Sequence, residues 1–454
     1  MKFVKFIIIV VIGILLQNYN VFAKDIIYSI NKYPEENLKF IKSSYNKKGT
    51  KDGLIVGGSY LENTIEDNDT KYNNYQIIVA KYDNMGEISW KFTYGNTKED
   101  YIDYLEYTYN EENKIDGYII ALEKTYDVVS QENVDDASAT LLKLDLDGNL
   151  VWEKTSGSNE FTKITKIIST LNDDKQIDGY LAIGYKEENK KKKACVVRYD
   201  KDFNLIWIKQ SENQEDESIE YQDITTTQEE NKLIGYAMII STKKEKAPEE
   251  KNLVHIDREW KKVDIVENSL EKYQTTYLEK ANDGFILYGI TSDVKLKKGE
   301  KSYYLINYNS ENQINWETIG EEPIKPSKRI ILYPNDAENI EEYMLLYENS
   351  IDSSKEVLKF DFEGNLQKKI KKIKNDYYTF ENFYIEKNTL YFVGQINCPE
   401  DDNCEYDKNS LLLISDEDTV IEVQDSDSTN IIIGVGIVIA IIGIIIFKKS
   451  QRKN

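Results

Sequence analysis

Any chemistry in this chain has to come from carboxylates, because its other reactive side chains are scarce. There is one histidine, His255, in 454 residues. A Ser-His-Asp or Cys-His arrangement needs a histidine free to move a proton, and a multi-histidine metal site needs several. His255 stands where related segments carry Lys81, Lys143, Arg198 and Lys359, so it reads as a member of a basic column in a repeated strand. Arg198, Arg258 and Arg329 fall on a third strand, a following turn and the start of a first strand, and are not expected to converge on one substrate carboxylate. Hydrolysis or elimination by two carboxylates stays open, since 80 Asp and Glu are present and such chemistry needs only a pair roughly 5–10 Å apart. No pair is singled out by the sequence.

Cys195 lies in an apolar strand and reads as a small core residue. Cys398 and Cys404 bracket the polar loop Pro-Glu-Asp-Asp-Asn. In an oxidising exterior a disulfide closing this loop and two free thiols are both compatible with the spacing. A zinc site there lacks further Cys or His ligands. Asp145-Leu-Asp147-Gly148-Asn149 begins like a calcium loop, but Ser156 stands where the bidentate Glu belongs. Side-chain oxygens capping turn N–H groups explain the pattern instead. No cofactor and no metal site is expected.

These residues are set in a repeat of about 55 residues, and a fixed period of that size points to a repeat architecture. An apolar-basic-apolar-Asp strand leads through a short turn into a strand carrying Trp. Copies are Ala80-Lys81-Tyr82-Asp83…Gly86…Trp90, Leu142-Lys143-Leu144-Asp145…Gly148…Trp152, Val197-Arg198-Tyr199-Asp200…Asn204…Trp207 and Ile306-Asn307-Tyr308-Asn309…Asn312…Trp316. Ahead of each runs an Asp-Gly or similar turn into another apolar strand, as in Asp52-Gly53, Asp116-Gly117, Asp178-Gly179 and Asp283-Gly284. Short β-branched and aromatic runs bounded by Asp, Asn and Gly are strands and hairpins. Seven such units predict an all-β, seven-bladed β-propeller of four-stranded blades, plus one C-terminal transmembrane helix. Trp90, Trp152, Trp207 and Trp316 share one repeat position and are expected to pack blade against blade. Trp260 lies off that register and is the candidate for an exposed contact. The segment Asp25–Ile30 resembles a fourth strand without a unit and is expected to pair with the last blade.

The ends set the location. Lys2 and Lys5, an apolar core and Val21-Phe22-Ala23 make residues 1–23 a secretory signal peptide. Residues 24–423 are the expected propeller ectodomain and 424–430 a short stalk. Residues 431–447 carry no charge and, at about 1.5 Å per residue, make a helix roughly 25 Å long. The basic tail 448–454 places the C-terminus in the cytoplasm. The expectation is a single-pass cell-membrane protein with its ectodomain outside. Residues 24–430 hold all 80 acidic residues, so this part is more negative than the −22 of the whole chain. Such a charge repels nucleic acid and argues against that partner.

The Asp-x-x-Gly-x-x-x-Trp motif of 83–90 and 145–152 resembles the repeats of quinoprotein-like (PQQ-like) bacterial propellers. The resemblance covers most of 37–423 and implies a propeller whose Trp docks between blades. The gap from Asp to Gly is one residue shorter than in that family, the Thr before the Gly is missing, and the cofactor residues have no counterpart. The spacing does not fit the Asp-box of sialidase-type propellers either. Members without the cofactor are scaffolds. The expected function is therefore a non-catalytic binding or envelope-assembly scaffold, with an envelope protein or a glycan as partner. The alternative is an envelope carbohydrate-active hydrolase or lyase using paired carboxylates.

Overall fold

Antiparallel hairpins form wherever a β-branched or aromatic run meets an Asn, Asp or Gly turn. In the computed structural model, which describes residues 26–28, 37–396 with short interruptions, and 410–416, these hairpins assemble into seven four-stranded antiparallel sheets. Six sheets are each made of four consecutive strands and are numbered here as blades 1 to 6: 37–94, 98–155, 163–210, 217–267, 273–319 and 331–373. The remaining sheet is composite. Its three strands from 378–416 are completed by Ile26–Tyr28, which pairs with Ser410–Asp416 through Ile26↔Ile414, Ile27↔Leu413 and Tyr28↔Leu412.

The first strand of every sheet faces its neighbours around one axis. Asn37–Tyr45 touches Lys98–Tyr109, which touches Lys163–Leu171, and the series runs through Glu217–Glu229, Tyr273–Lys280 and Ile331–Pro334 to Tyr378–Glu386. Tyr378–Glu386 returns to Asn37–Tyr45 and closes the ring. A closed ring of first strands with sheets radiating from it is a β-propeller. The apolar cores lie between adjacent sheets. Leu38, Ile41 and Val56 of blade 1 pack against Tyr384 and Val393 of the composite sheet, and Ile286 and Leu305 of blade 5 against Leu332 and Leu345 of blade 6.

Two expectations are corrected. The expected seven-bladed propeller is corrected to six blades of four consecutive strands, beside a composite last sheet whose outer strand, as expected of the N-terminal segment, comes from the other end of the chain. Ring closure brings the two ends of the chain together, so the free edge of Ser410–Asp416 is covered by the nearest unpaired strand. The expected membrane helix is not supported either. Among the described residues no helix is long and apolar enough to cross a membrane. Residues 1–23, 128–137, Cys398, Cys404, the stalk 424–430, the apolar stretch 431–447 and the tail 448–454 lie outside the described residues.

One feature of the inner strands escaped the sequence. Six of them carry a register shift near their start, at Leu38/Phe40, Ile102/Tyr104, Ile164/Lys166, Tyr221/Asp223, Tyr273/Thr275 and Phe380/Asn382. An extra residue on one strand bends it and re-aims the side chains around it. Asp103 is such an extra residue, and Lys166 and Asp223 directly follow theirs.

Candidate functional site

Two sets of charged residues are built into the blades. The first is repeated. In blade 1 the Ser44 hydroxyl donates to Asp52 Oδ1 at 2.9 Å, and Lys81 Nζ donates to Asp52 Oδ2 at 2.8 Å. In blade 2 Thr108 and Lys143 hold Asp116 the same way, with Lys143 at 2.9 Å. In blade 3 Thr170 and Arg198 hold Asp178, at 2.6 and 2.8 Å. The Asp precedes the turn glycine, the hydroxyl lies across from that glycine, and the basic residue pairs with the Trp strand at Lys81↔Trp90, Lys143↔Trp152 and Arg198↔Trp207. The Asp of each Asp-Gly turn is thus the partner of the basic column. The column was visible in the sequence; its partner was not, because Asp before Gly already satisfies turn chemistry.

The tryptophans and the turns meet across blades. Trp90 Nε1 donates to Leu146 O of blade 2 at 3.0 Å, and Trp316 Nε1 to Phe362 O of blade 6 at 3.1 Å. The fourth residue of each receiving turn is left-handed, with φ +82° at Gly148 and +79° at Gly364. A Cβ on Gly148 would lie 2.5 Å from Trp90 Cδ2, so glycine here serves both the backbone and the ring above it. In blades 3 and 4 the same place is taken by Phe203 and Trp260, with φ of 58° and 59°. Trp152 packs on Phe203 at 5.5 Å and Trp207 on Trp260 at 5.7 Å between ring centroids. Trp260 is therefore not an exposed contact: only 8% of it is accessible, because it fills the turn position that glycine holds elsewhere.

Turn carboxylates are consumed locally. Asp145 accepts from Asp147 N and Asn149 N at 2.9 and 2.8 Å, and Asp200 and Asp361 accept the equivalent pairs. Burial works against the ionised Asp145, but the bonds from Asn149 and Asp147 outweigh it and hold its pKa below the ordinary value. Among the described residues no group of three or more His, Cys, Asp or Glu is placed to hold a metal ion.

The second set links neighbouring blades, mostly along the inner strands. Lys42 of blade 1 contacts both Glu106 oxygens of blade 2 at 2.8 Å. Lys163 of blade 3 bridges two carboxylates of blade 2, Asp103 at 2.9 Å and Glu123 at 2.7 Å. Lys166 of blade 3 pairs with Asp223 of blade 4 at 2.7 Å, and Asp223 also accepts Leu278 N of blade 5 at 2.8 Å. Lys192 of blade 3 pairs with Glu220 of blade 4 at 3.0 Å. Burial pushes the Asp103 carboxyl up to about 6 against the pull of Lys163. Its Oδ2 is buried with no hydrogen-bond partner. Burial likewise raises Glu279 on blade 5, with Lys166 opposing. Burial alone would depress Lys166, yet Asp223 and Glu279 hold its pKa above the ordinary value. None of these residues stood out in the sequence, because the chain carries 80 Asp and Glu and nothing in the sequence separates these from the rest.

No protein-family model and no curated protein matches the chain. Solved structures do resemble it. The β-propeller domain of the trilobed protease from Pyrococcus furiosus is 9% identical, over 86% of this chain and 96% of that one, with a TM-score of 0.44. A putative 6-phosphogluconolactonase from Bacteroides uniformis is 12% identical, over 75% and 91%, at 0.42. The WD40 domain of SCAP from fission yeast is 10% identical, over 87% and 98%, at 0.40. These likenesses concern the propeller fold.

Proposed function

We propose that this propeller is a non-catalytic binding or assembly scaffold of the cell envelope, exported behind its leader and attached to the membrane through its apolar C-terminal segment. Its partner is an envelope protein or a glycan. The supporting observation is the wiring between blades: Glu106, Asp103, Glu123 and Asp223 are each clamped by a lysine of another blade. A carboxylate clamped in this way is a poor base or nucleophile, since a substrate group must displace the lysine to reach it. The same pairs tie blade to blade and favour a rigid platform.

One observation favours the second reading, a carbohydrate-active hydrolase or lyase. Asp103 has a carboxyl pushed up to about 6 and a second carboxylate, Glu123, on the far side of Lys163. A buried acid of that kind is the profile of a proton donor. Against it, the Lys163 ammonium stands between the two carboxylates, where a glycosidic oxygen or water would have to sit. The full chain, solubilised and used to capture partners from envelope extract and on a glycan array, tests the scaffold. Capture that survives Asp103→Asn supports it. Glycan cleavage that Asp103→Asn abolishes overturns it, as does failure to capture either partner class.

A further inference from the structure

Blade 5 repeats the polar cluster of blades 1 to 3 with two members missing. The register aligns Asp283 with Asp52, Asn307 with Lys81, Ala281 with Ser44 and Trp316 with Trp90. The carboxylate and the indole are kept, while the long cation is cut back to Asn and the hydroxyl to a methyl. A cavity of about 310 Å³ opens at this place, between blades 5 and 6. Ala281, Asn307 and Tyr343 form its buried floor, at 6%, 6% and 2% accessible. Trp316 forms one wall, held by its bond to Phe362 O at 3.1 Å. Asp283 and Glu363 stand exposed at the mouth.

What is missing names what fits. In blade 1 the ammonium of Lys81 lies 2.8 Å from Asp52 and 3.1 Å from the backbone carbonyl of Tyr45. The blade 5 counterparts of these acceptors are the Asp283 carboxylate, which accepts the Ser310 N–H at 3.2 Å, and the carbonyl of Asn282, while Asn307 stands at the register position of the lysine. Asn307 does not take the cation's role: its amide donates to Phe285 O at 3.2 Å and its oxygen accepts from Asn315 at 2.9 Å. A carboxylate beside an indole face, above a partly apolar floor, is the chemistry that holds an organic cation. We propose that this cavity binds a primary alkylammonium group, taking from outside the cation that blades 1 to 3 supply from within. The site is separate from the inner-strand ion pairs and stands whether or not those carry a partner.

The test uses the full chain and calorimetric titration with three probes: 1,5-diaminopentane, the neutral 1,5-pentanediol and Nα-acetyl-lysine amide. The diamine is expected to bind and the diol not. Asp283→Asn should weaken the diamine about tenfold or more, since it removes the charged acceptor. Asn307→Lys should abolish binding while raising Tm, because the slot is then filled as in blade 1. Binding of the lysine amide alongside the diamine supports the site and marks a protein lysine as its source; binding of the diamine alone supports it and marks a free amine. No binding of any amine, equal binding of the diol, or unchanged diamine affinity in an Asn307→Lys variant of undiminished Tm overturns the proposal.

Discussion

Blades 2 and 5 share strand order, register and tryptophan, and differ in one slot. In blade 2 Asp116 sits between Thr108 and Lys143, and all three are engaged. In blade 5 Asp283 faces Asn307 and Ala281 across a cavity. Blade 4 breaks the cluster in another way: Ile234 replaces the acid, and the buried Thr227 hydroxyl has no hydrogen-bond partner. The contrast shows that the cluster is not what makes a blade. Apolar contacts between sheets do that, since both blades 2 and 5 keep theirs. A polar group matters to stability mainly where its partner would be left behind.

The largest expected effect follows from that asymmetry. Asp116→Ala strands Lys143 and Thr108, both well shielded, and should cost about 3 kcal/mol in urea unfolding. Asp283→Ala gives up only the exposed bond from Ser310 N at 3.2 Å, which water replaces, and should stay within about 0.5 kcal/mol. Equal losses in the two variants would break the comparison.

A second variant sets the inner-strand pairs against the repeated cluster. The Asp103 carboxyl is raised, so the stability it contributes is fully present below the unfolded value of 3.8 and is lost as pH rises through about 6. Asp103→Asn should therefore be more stable than the natural chain at pH 8, by about 3 kcal/mol, and equal to it below pH 3.8. A loss of stability at pH 8 would show that the Lys163 bridge outweighs the burial.

The turn beneath Trp90 offers a smaller effect. Gly148→Ala must hold φ near +82° and press a Cβ into the indole, at a cost of about 1–2 kcal/mol by thermal melting. A neutral result would mean that the ring shifts freely and is not what ties blade 1 to blade 2. The smallest effect is a gain. Ile234→Asp should give Thr227 an acceptor and bring blade 4 towards blade 2, for about 0.5–1 kcal/mol. No gain would show that blade 4 has settled on a different packing around His255.

Much of the fold could be read from residues close together in the chain. Strands, turns and the period follow from alternation and from Asp, Asn and Gly within a few positions. The N-terminal strand was legible too, because Asp25–Ile30 had strand character and no unit to join. The blade count went astray at the chain's last unit, whose sheet is completed by Ile26–Tyr28, and the apolar stretch 431–447 lies outside the described residues. Trp260 misled because it was compared with the other tryptophans, when its true counterparts are the glycines of the turns.

The sequence by itself determined a repeating all-β chain, the shared position of Trp90, Trp152, Trp207 and Trp316, and the basic column that holds His255. Only the tertiary structure decided what meets what. Asp52 reaches Lys81 across 29 residues, Lys166 reaches Asp223 across 57, and Ser43 reaches Tyr384 across 341. Turn and strand preferences act between neighbours in the chain, whereas these contacts exist only once strands, neighbouring blades and, for Ser43 and Tyr384, the two ends of the ring have been brought together. The empty slot of blade 5 belongs to the second kind. Asn307 in place of a lysine is a single letter, and it becomes a cavity only where Trp316, Tyr343 and Asp283 are brought around it.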